Sequence, residues 1–497
     1  MQVKSLFLIV LFVFAAGYTT AQKASVYFSD DLHENSDGNF LTSTGESEKY
    51  LYCWFKDNNT IKLIGLDKEN HYSKTTLFEH KSGGFLRFHS AIMYRQNQLL
   101  LYSEQTKTTQ KIYLSLINDQ GQLLRSMLLQ NIELPDRRSS ADVFFSISPA
   151  GNFLTFAVKN ARNSDSSDIL LIQYDENINL LWEHYWKYDE NPSNFHLIAL
   201  QTNNDGNVFL LGQSNTKEQS RMFSLPYTLV AYDHVNKKMN EWMIQLDEEN
   251  IFEIQMLIDG MSNVYIAGTY TKNNKSRIRG IFALRLDYPD YALKYSVKYD
   301  WDPSQLIRWF GESKTKDPGI EDLHIIYALP GKQKELFFFV EQQKEYEQCY
   351  TDFRTGLLYC NRHYMFGTIL STAIDSNGTI IYQTPFVKRQ ETMNDGGIYS
   401  SFALIPYKDS FFLLYNDHEK NIDRLSNPKA MNALRTMAPY LYKLDAEGSK
   451  KIYRMFKPGK GSYYWMPYTA VNIAPGKIVF KAIKYGNRFK IGVLEID

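Results

Sequence analysis

NNDGNVFLLGQS, from Asn203 to Ser214, sets a run of turn-forming residues directly before an apolar stretch. Asn and Asp bend a chain through their own side chains and glycine tolerates positive φ, whereas Val-Phe-Leu-Leu suits a buried strand. The same design recurs in DGMSNVYIAGTY, from Asp259 to Tyr270, and in SPAGNFLTFAVK, PGKQKELFFFVE, PYKDSFFLLYND and APGKIVFKAIKY. Each is a turn that opens a strand.

A second signature follows each of these: an alternating apolar strand closed by Asp. It ends at Asp67, Asp119, Asp175, Asp233, Asp287, Asp375, Asp445 and Asp497, with most intervals about 52 to 58 residues and the two longest before Asp375 and Asp445. An outer strand comes next, as in LLWEHYW around Trp182 and EWMIQL around Trp242, and FHLIALQT from Phe195 to Thr202 supplies a first strand. Four short strands joined by turns, repeated without intervening helices, define a propeller blade. The expected fold is all-β, a single β-propeller of eight four-stranded blades. The chain reaches Asp497 where a fourth strand is due, and ASVYFSD from Ala24 to Asp30 is an unmatched strand, so the N-terminal strand is expected to close the last blade.

Lys4 followed by the apolar run Leu6–Ala16 and the small residues Thr19-Thr20-Ala21 reads as an export signal over residues 1–21, leaving a propeller domain over 22–497. No Cys stands at the cleavage point, so no lipid anchor is expected, and no stretch has the roughly 20 apolar residues of a membrane span. The chain is expected to be secreted, periplasmic or on the cell surface. Lys plus Arg and Asp plus Glu are equal at 55 each, which provides no electrostatic footprint for nucleic acid. In an exported chain, Cys349 and Cys360 flank a turn at Arg354-Thr355-Gly356 and are candidates for a disulfide, while Cys53 in YLYCWF reads as a buried free thiol.

NDGNVFLLGQS and SNVYIAGTY resemble the blade repeat of secreted bacterial β-propeller proteins, in which D-x-x-G-N-x-Y-x-x-G opens the second strand. SISPAGNFLTFAV is similar to the S-P-D-G turn of TolB-like propellers, with Ala150 in place of the usual Asp. The signal ending in TTAQ resembles those of exported Bacteroidetes proteins. The likeness spans most of the chain and implies the fold, not an activity.

No residue cluster specifies a reaction. G-x-S-x-G is absent, which sets aside a prolyl-oligopeptidase-type enzyme, and H-E-x-x-H and the sialidase Asp box are absent too. The repeated Asp residues read as turn caps, and neither a metal site nor a cofactor is expected. His184, His196 and His324 fall on strands, where packed or rim positions are the plain expectation.

Three insertions remain, near 300–319, 343–363 and 418–439. The first brings together Trp301, Arg308 and Trp309, residue types that anchor partner interfaces or stack on a sugar ring, or that simply fold the loop onto the propeller. The second is the Tyr-rich stretch between and around the two cysteines. The third, with Pro428 after Asn427 and Met431, Leu434 and Met437 at near-helical spacing, is expected to be a short amphipathic helix. The leading expectation is a noncatalytic propeller binding a protein or glycan at the cell envelope through the face that bears these insertions. The alternative is a carbohydrate-active hydrolase or lyase with carboxylates in the central funnel.

Overall fold

The computed structural model describes residues 24–496 except 137, 160–168, 187–194, 215–225, 247–248, 273–276, 312–318, 422–427, 433, 457–462 and 485–486. The predicted signal peptide and Asp497 lie outside the described residues. Eight antiparallel sheets follow one another along the chain, each with a four-stranded path. Blades 1 to 7 occupy 39–81, 85–133, 142–186, 195–244, 249–300, 323–386 and 402–455, and blade 8 combines 464–496 with the strand Ala24–Phe28.

The second and third strands of a blade bury both of their faces, because each sheet is stacked between two others, whereas the outer fourth strands stay largely exposed. In Phe153–Lys159, Leu154, Phe156 and Val158 pack toward blade 2, whereas Ala157 packs toward blade 4. Such strands read as continuous apolar runs rather than as alternation. One apolar core fills every junction around the ring, including blades 7 and 8 and blades 8 and 1. The ring is therefore closed. Its seam is the antiparallel pairing of Ala24–Phe28 with the last strand, from Ala24 opposite Ile496 to Phe28 opposite Gly492, as the sequence led us to expect. Cys53 lies in the junction between blades 8 and 1, where burial pushes its thiol up to about 12.

The repeated Asp residues are turn caps in most blades. Asp175 Oδ1 accepts the N–H groups of Asn177 and Asn179 at 2.9 and 2.7 Å, and Asp67, Asp233, Asp375 and Asp445 accept in the same way. Two positions differ. In blade 2 the cap is Asn118, not Asp119, with Oδ1 receiving Gln120 and Gln122 N–H. In blade 5 the residue two places after Asp287 is Pro289, which has no N–H to offer, and Asp287 instead pairs with buried Arg285 at 2.6 Å.

The glycines of the repeat have separate tasks. Gly206 takes φ +82 in the turn, while Gly212 makes room for a ring: a Cβ there would lie 2.2 Å from Cζ of Phe195. Gly212→Ala is expected to cost about 1–3 kcal/mol by overpacking. Gly260→Ala, where no atom stands within 4 Å of the added Cβ, is expected to stay within about 0.5 kcal/mol of wild type. Denaturant unfolding of the two variants checks the contrast.

Candidate functional site

Strand alternation sends the links between first and second strands, and between third and fourth strands, to one end of the ring. That end is built of short capped turns such as 203–207, 259–263 and 375–379. The links between second and third strands, and from each outer strand to the next blade, all emerge at the opposite end. The three predicted insertions are links of this second kind, so they share one face, beside blades 5 to 7.

The first insertion folds into the helix Pro303–Phe310. Asp302 caps it by accepting Ser304 N–H at 2.7 Å, Pro303 occupies the first turn, and Gly311 ends it in the left-handed conformation at φ 69. Trp301 is only 3% exposed and belongs with Leu306 and Ile320 to the core between blades 5 and 6. Trp309 packs partly against the same core, and its carbonyl accepts the Thr368 hydroxyl at 2.6 Å. Arg308 is exposed on the last turn. The three candidate residues thus separate: Trp301 is inside the fold, and Arg308 and Trp309 line a cavity.

The second insertion extends Leu336–Thr351 and Leu358–Ile374 beyond the blade as a two-stranded ribbon. Cys349 and Cys360 face each other across it and are disulfide-bonded at 2.05 Å. One ribbon face carries Tyr346 stacked on His363, Gln348 opposite Asn361 and Tyr350 stacked on Tyr359. The other face carries the disulfide and the Glu345–Arg362 pair at 3.3 Å. At the tip Phe353 is 88% exposed, next to exposed Leu357 and Leu358. The one described cluster with metal-like spacing, Glu347, Cys349 and Cys360, offers two sulfurs already bonded to each other.

The third insertion departs from expectation. Where described, 428–436 holds no α-helix: Met431 bridges to Gln390, and only Leu434–Thr436 makes a 3-10 turn before the strand Met437–Leu444 begins. Met431 and Met437 are apolar anchors beside Tyr399 and Met466.

A further link, 387–401, went unrecognised in the sequence because its polar, Gly-containing text reads as an ordinary turn. It crosses back over blade 6, and Gln390–Met393 adds to the edge of the ribbon. Beneath it lies a buried polar network. Lys388 pairs with Glu341 at 2.7 Å with neither side chain exposed, and also donates to Gln390 at 2.6 Å. Ser401 donates to the second Glu341 oxygen at 2.6 Å, and Asn416 ties the carbonyls of Tyr399 and Trp465 together. Asp417 sits close enough to feel Lys388, yet burial raises its carboxyl to about 7. No local motif announces this network, since its members come from different blades.

Near the start of the inner strands, Glu253 accepts from the Ile325 N–H and pairs with His324 Nδ1, both at 2.6 Å. The hydrogen bond that His324 donates to Glu253 raises the His324 pKa above its ordinary 6.5. His184 stacks on Tyr232, as a packed rim histidine would.

No protein-family model matches the chain, and no curated protein matches it. Solved structures do match. The polysaccharide lyase Uly1 is 10% identical, covering 95% of this chain and 100% of that one with a TM-score of 0.40. The β-propeller domain of the Trilobed protease from Pyrococcus furiosus is 9% identical over 83% of this chain and 95% of that one, TM-score 0.35. A protein of unknown function from Bacteroides caccae is 12% identical over 69% and 93%, TM-score 0.30. These are likenesses of fold alone, and the chain is a β-propeller on its own strand topology.

Two outcomes follow from this geometry. Lys388→Met strands the buried Glu341 charge and is expected to cost about 3–5 kcal/mol, most of which Glu341→Gln/Lys388→Met recovers; thermal and denaturant unfolding measure both. For His324 the paired, charged imidazole stabilises the fold fully below pH 6.5, and that contribution disappears as pH rises through its raised pKa. Glu253→Gln is expected to lower the His324 pKa in an NMR titration and to remove this pH dependence.

Proposed function

We propose that this is an exported, noncatalytic binding propeller that captures a protein partner on its insertion-bearing face through the stapled ribbon of blade 6. The carrying observation is the ribbon itself: stacked tyrosines along one face and a tip whose Phe353 is 88% exposed, held in shape by a disulfide. Tyr provides large contact area at low conformational cost, and contiguous exposed apolar surface marks interaction sites. Preorganisation by the staple reduces the ordering entropy that docking must overcome. The export-like N-terminal residues and the disulfide both support the reading of an oxidising compartment.

One observation favours an enzyme instead, the Glu253–His324 pair, since a carboxylate that orients an imidazole is the usual arrangement of a general base. It stands without an identified reacting partner, so binding is the reading we adopt.

A photo-crosslinking residue placed at Phe353, and a control placed at Asp445 on the opposite face, tests it in envelope extracts. The expected result is one species captured from Phe353, competed by excess wild-type protein but not by Phe353→Ser/Leu358→Ser. Equal capture from Asp445, or equal competition by the double variant, contradicts the proposal.

A further inference from the structure

Between the helix Pro303–Phe310, the base of the ribbon and the link at 387–389 lies a cavity of about 620 Å³. Among the described residues its lining holds three cations, Arg308, Lys388 and Arg389, and no carboxylate. Two of the cations have partners of their own, Lys388 the buried Glu341 and Arg389 the neighbouring Glu391 at 2.7 Å. Arg308 forms no ion pair among the described residues. The guanidinium of Arg308 is thus a charge with nothing assigned to it, beside a second guanidinium whose partner is solvent-accessible.

The rest of the wall has two chemical characters. Trp309 and Phe310 contribute aromatic surface, and Gln342 and Thr368 contribute polar groups. At the base of the ribbon, beside the cavity, the strand register shifts between Glu341 and Gln343, opposite Gly367. At Gly367 an added Cβ would stand 2.6 Å from Oε1 of Gln342, the movable end of that side chain. Residues of the helix, the bulge and the link together line this space.

We propose that this cavity binds an acidic saccharide, a sugar ring carrying a carboxylate or a sulfate. A guanidinium fork matches the paired oxygens of either oxyanion, aromatic walls match the apolar face of a ring, and side-chain amides and hydroxyls match its hydroxyl groups. A bare inorganic anion would use the arginines and leave the aromatic walls unused; a neutral sugar would leave Arg308 unpaired. The site is separate from the exposed tip of the ribbon and does not depend on the protein-capture reading.

Titration calorimetry of the mature protein with oligogalacturonate, 6-sulfated N-acetylglucosamine, a cello-oligosaccharide and sodium sulfate tests the assignment. At least one acidic sugar is expected to saturate the site, with the neutral sugar and free sulfate weaker by tenfold or more. Affinity is expected to fall at high salt and at least tenfold in Arg308→Gln, an exposed position whose loss should leave the melting curve unchanged. Arg389→Gln provides a second, independent loss, and Phe353→Ser/Leu358→Ser is expected to bind sugar like wild type. The proposal is overturned by a neutral sugar or free sulfate binding as tightly, by unchanged affinity in both arginine variants, or by no saturable binding of either acidic sugar at millimolar concentration.

Discussion

Everything in this molecule depends on the hydrogen-bonded pairing of Ala24–Phe28 with the last strand of the chain. Without it the strand Arg488–Ile496 would be an open sheet edge, and the core between blades 7 and 8 would lose Ala24, Val26 and Phe28. Edges of that kind recruit other chains, so closing them supports solubility as well as stability. Because both ends of the sequence are needed, the seam couples residues far apart in the chain into one cooperative ring. Arg454 and Ala24, joined across blades 7 and 8, reinforce it.

A closed ring leaves little freedom for change except at its two ends, and here the ends are unlike. The end with links from first to second and third to fourth strands is occupied by side-chain-capped turns, in which Asp, Asn or Ser oxygens collect the free N–H groups. Longer chain there would lose that capping. The opposite end carries the helix, the ribbon and the crossing link of blades 5 to 7, and the buried Lys388–Glu341 pair holds two of these together from below. Lys388 reaches Glu341 only when the link lies across blade 6 as observed, so the pair marks that register. Gln390–Met393 of that crossing pairs with the base of the ribbon, and Lys388 and Arg389 line the cavity.

The repeat architecture was legible because each blade restates it locally. Gly206, the apolar run Val208–Leu211, Gly212 and the closing Asp233 are enough to mark one turn, two strands and one packing contact. The closing strand was legible as an unmatched segment at one terminus and a missing one at the other. The cavity was only half legible: Arg308 and Trp309 stood out by residue type, but the same reasoning grouped them with Trp301, which is buried. A sequence does not distinguish a tryptophan that anchors a helix to the core from one that faces a cavity. Met431, Leu434 and Met437 misled in the opposite way, since three apolar residues spaced for a helix also anchor a link when neighbouring blades supply the contacts. Lys388, Glu341, Asp417 and the Glu253–His324 pair were invisible, because each depends on side chains brought together from different blades.

The closure of the ring is the claim on which the placement of every loop rests, and a pair of cysteines tests it directly. Ser25 and Glu495 are partners across the seam. In a Cys53→Ser background, Ser25→Cys/Glu495→Cys should oxidise to an intrachain disulfide, detected as one linked peptide in a nonreducing digest of monomeric protein. Free thiols at both positions, or bonds formed only between chains, would contradict a propeller closed by its own N-terminal strand.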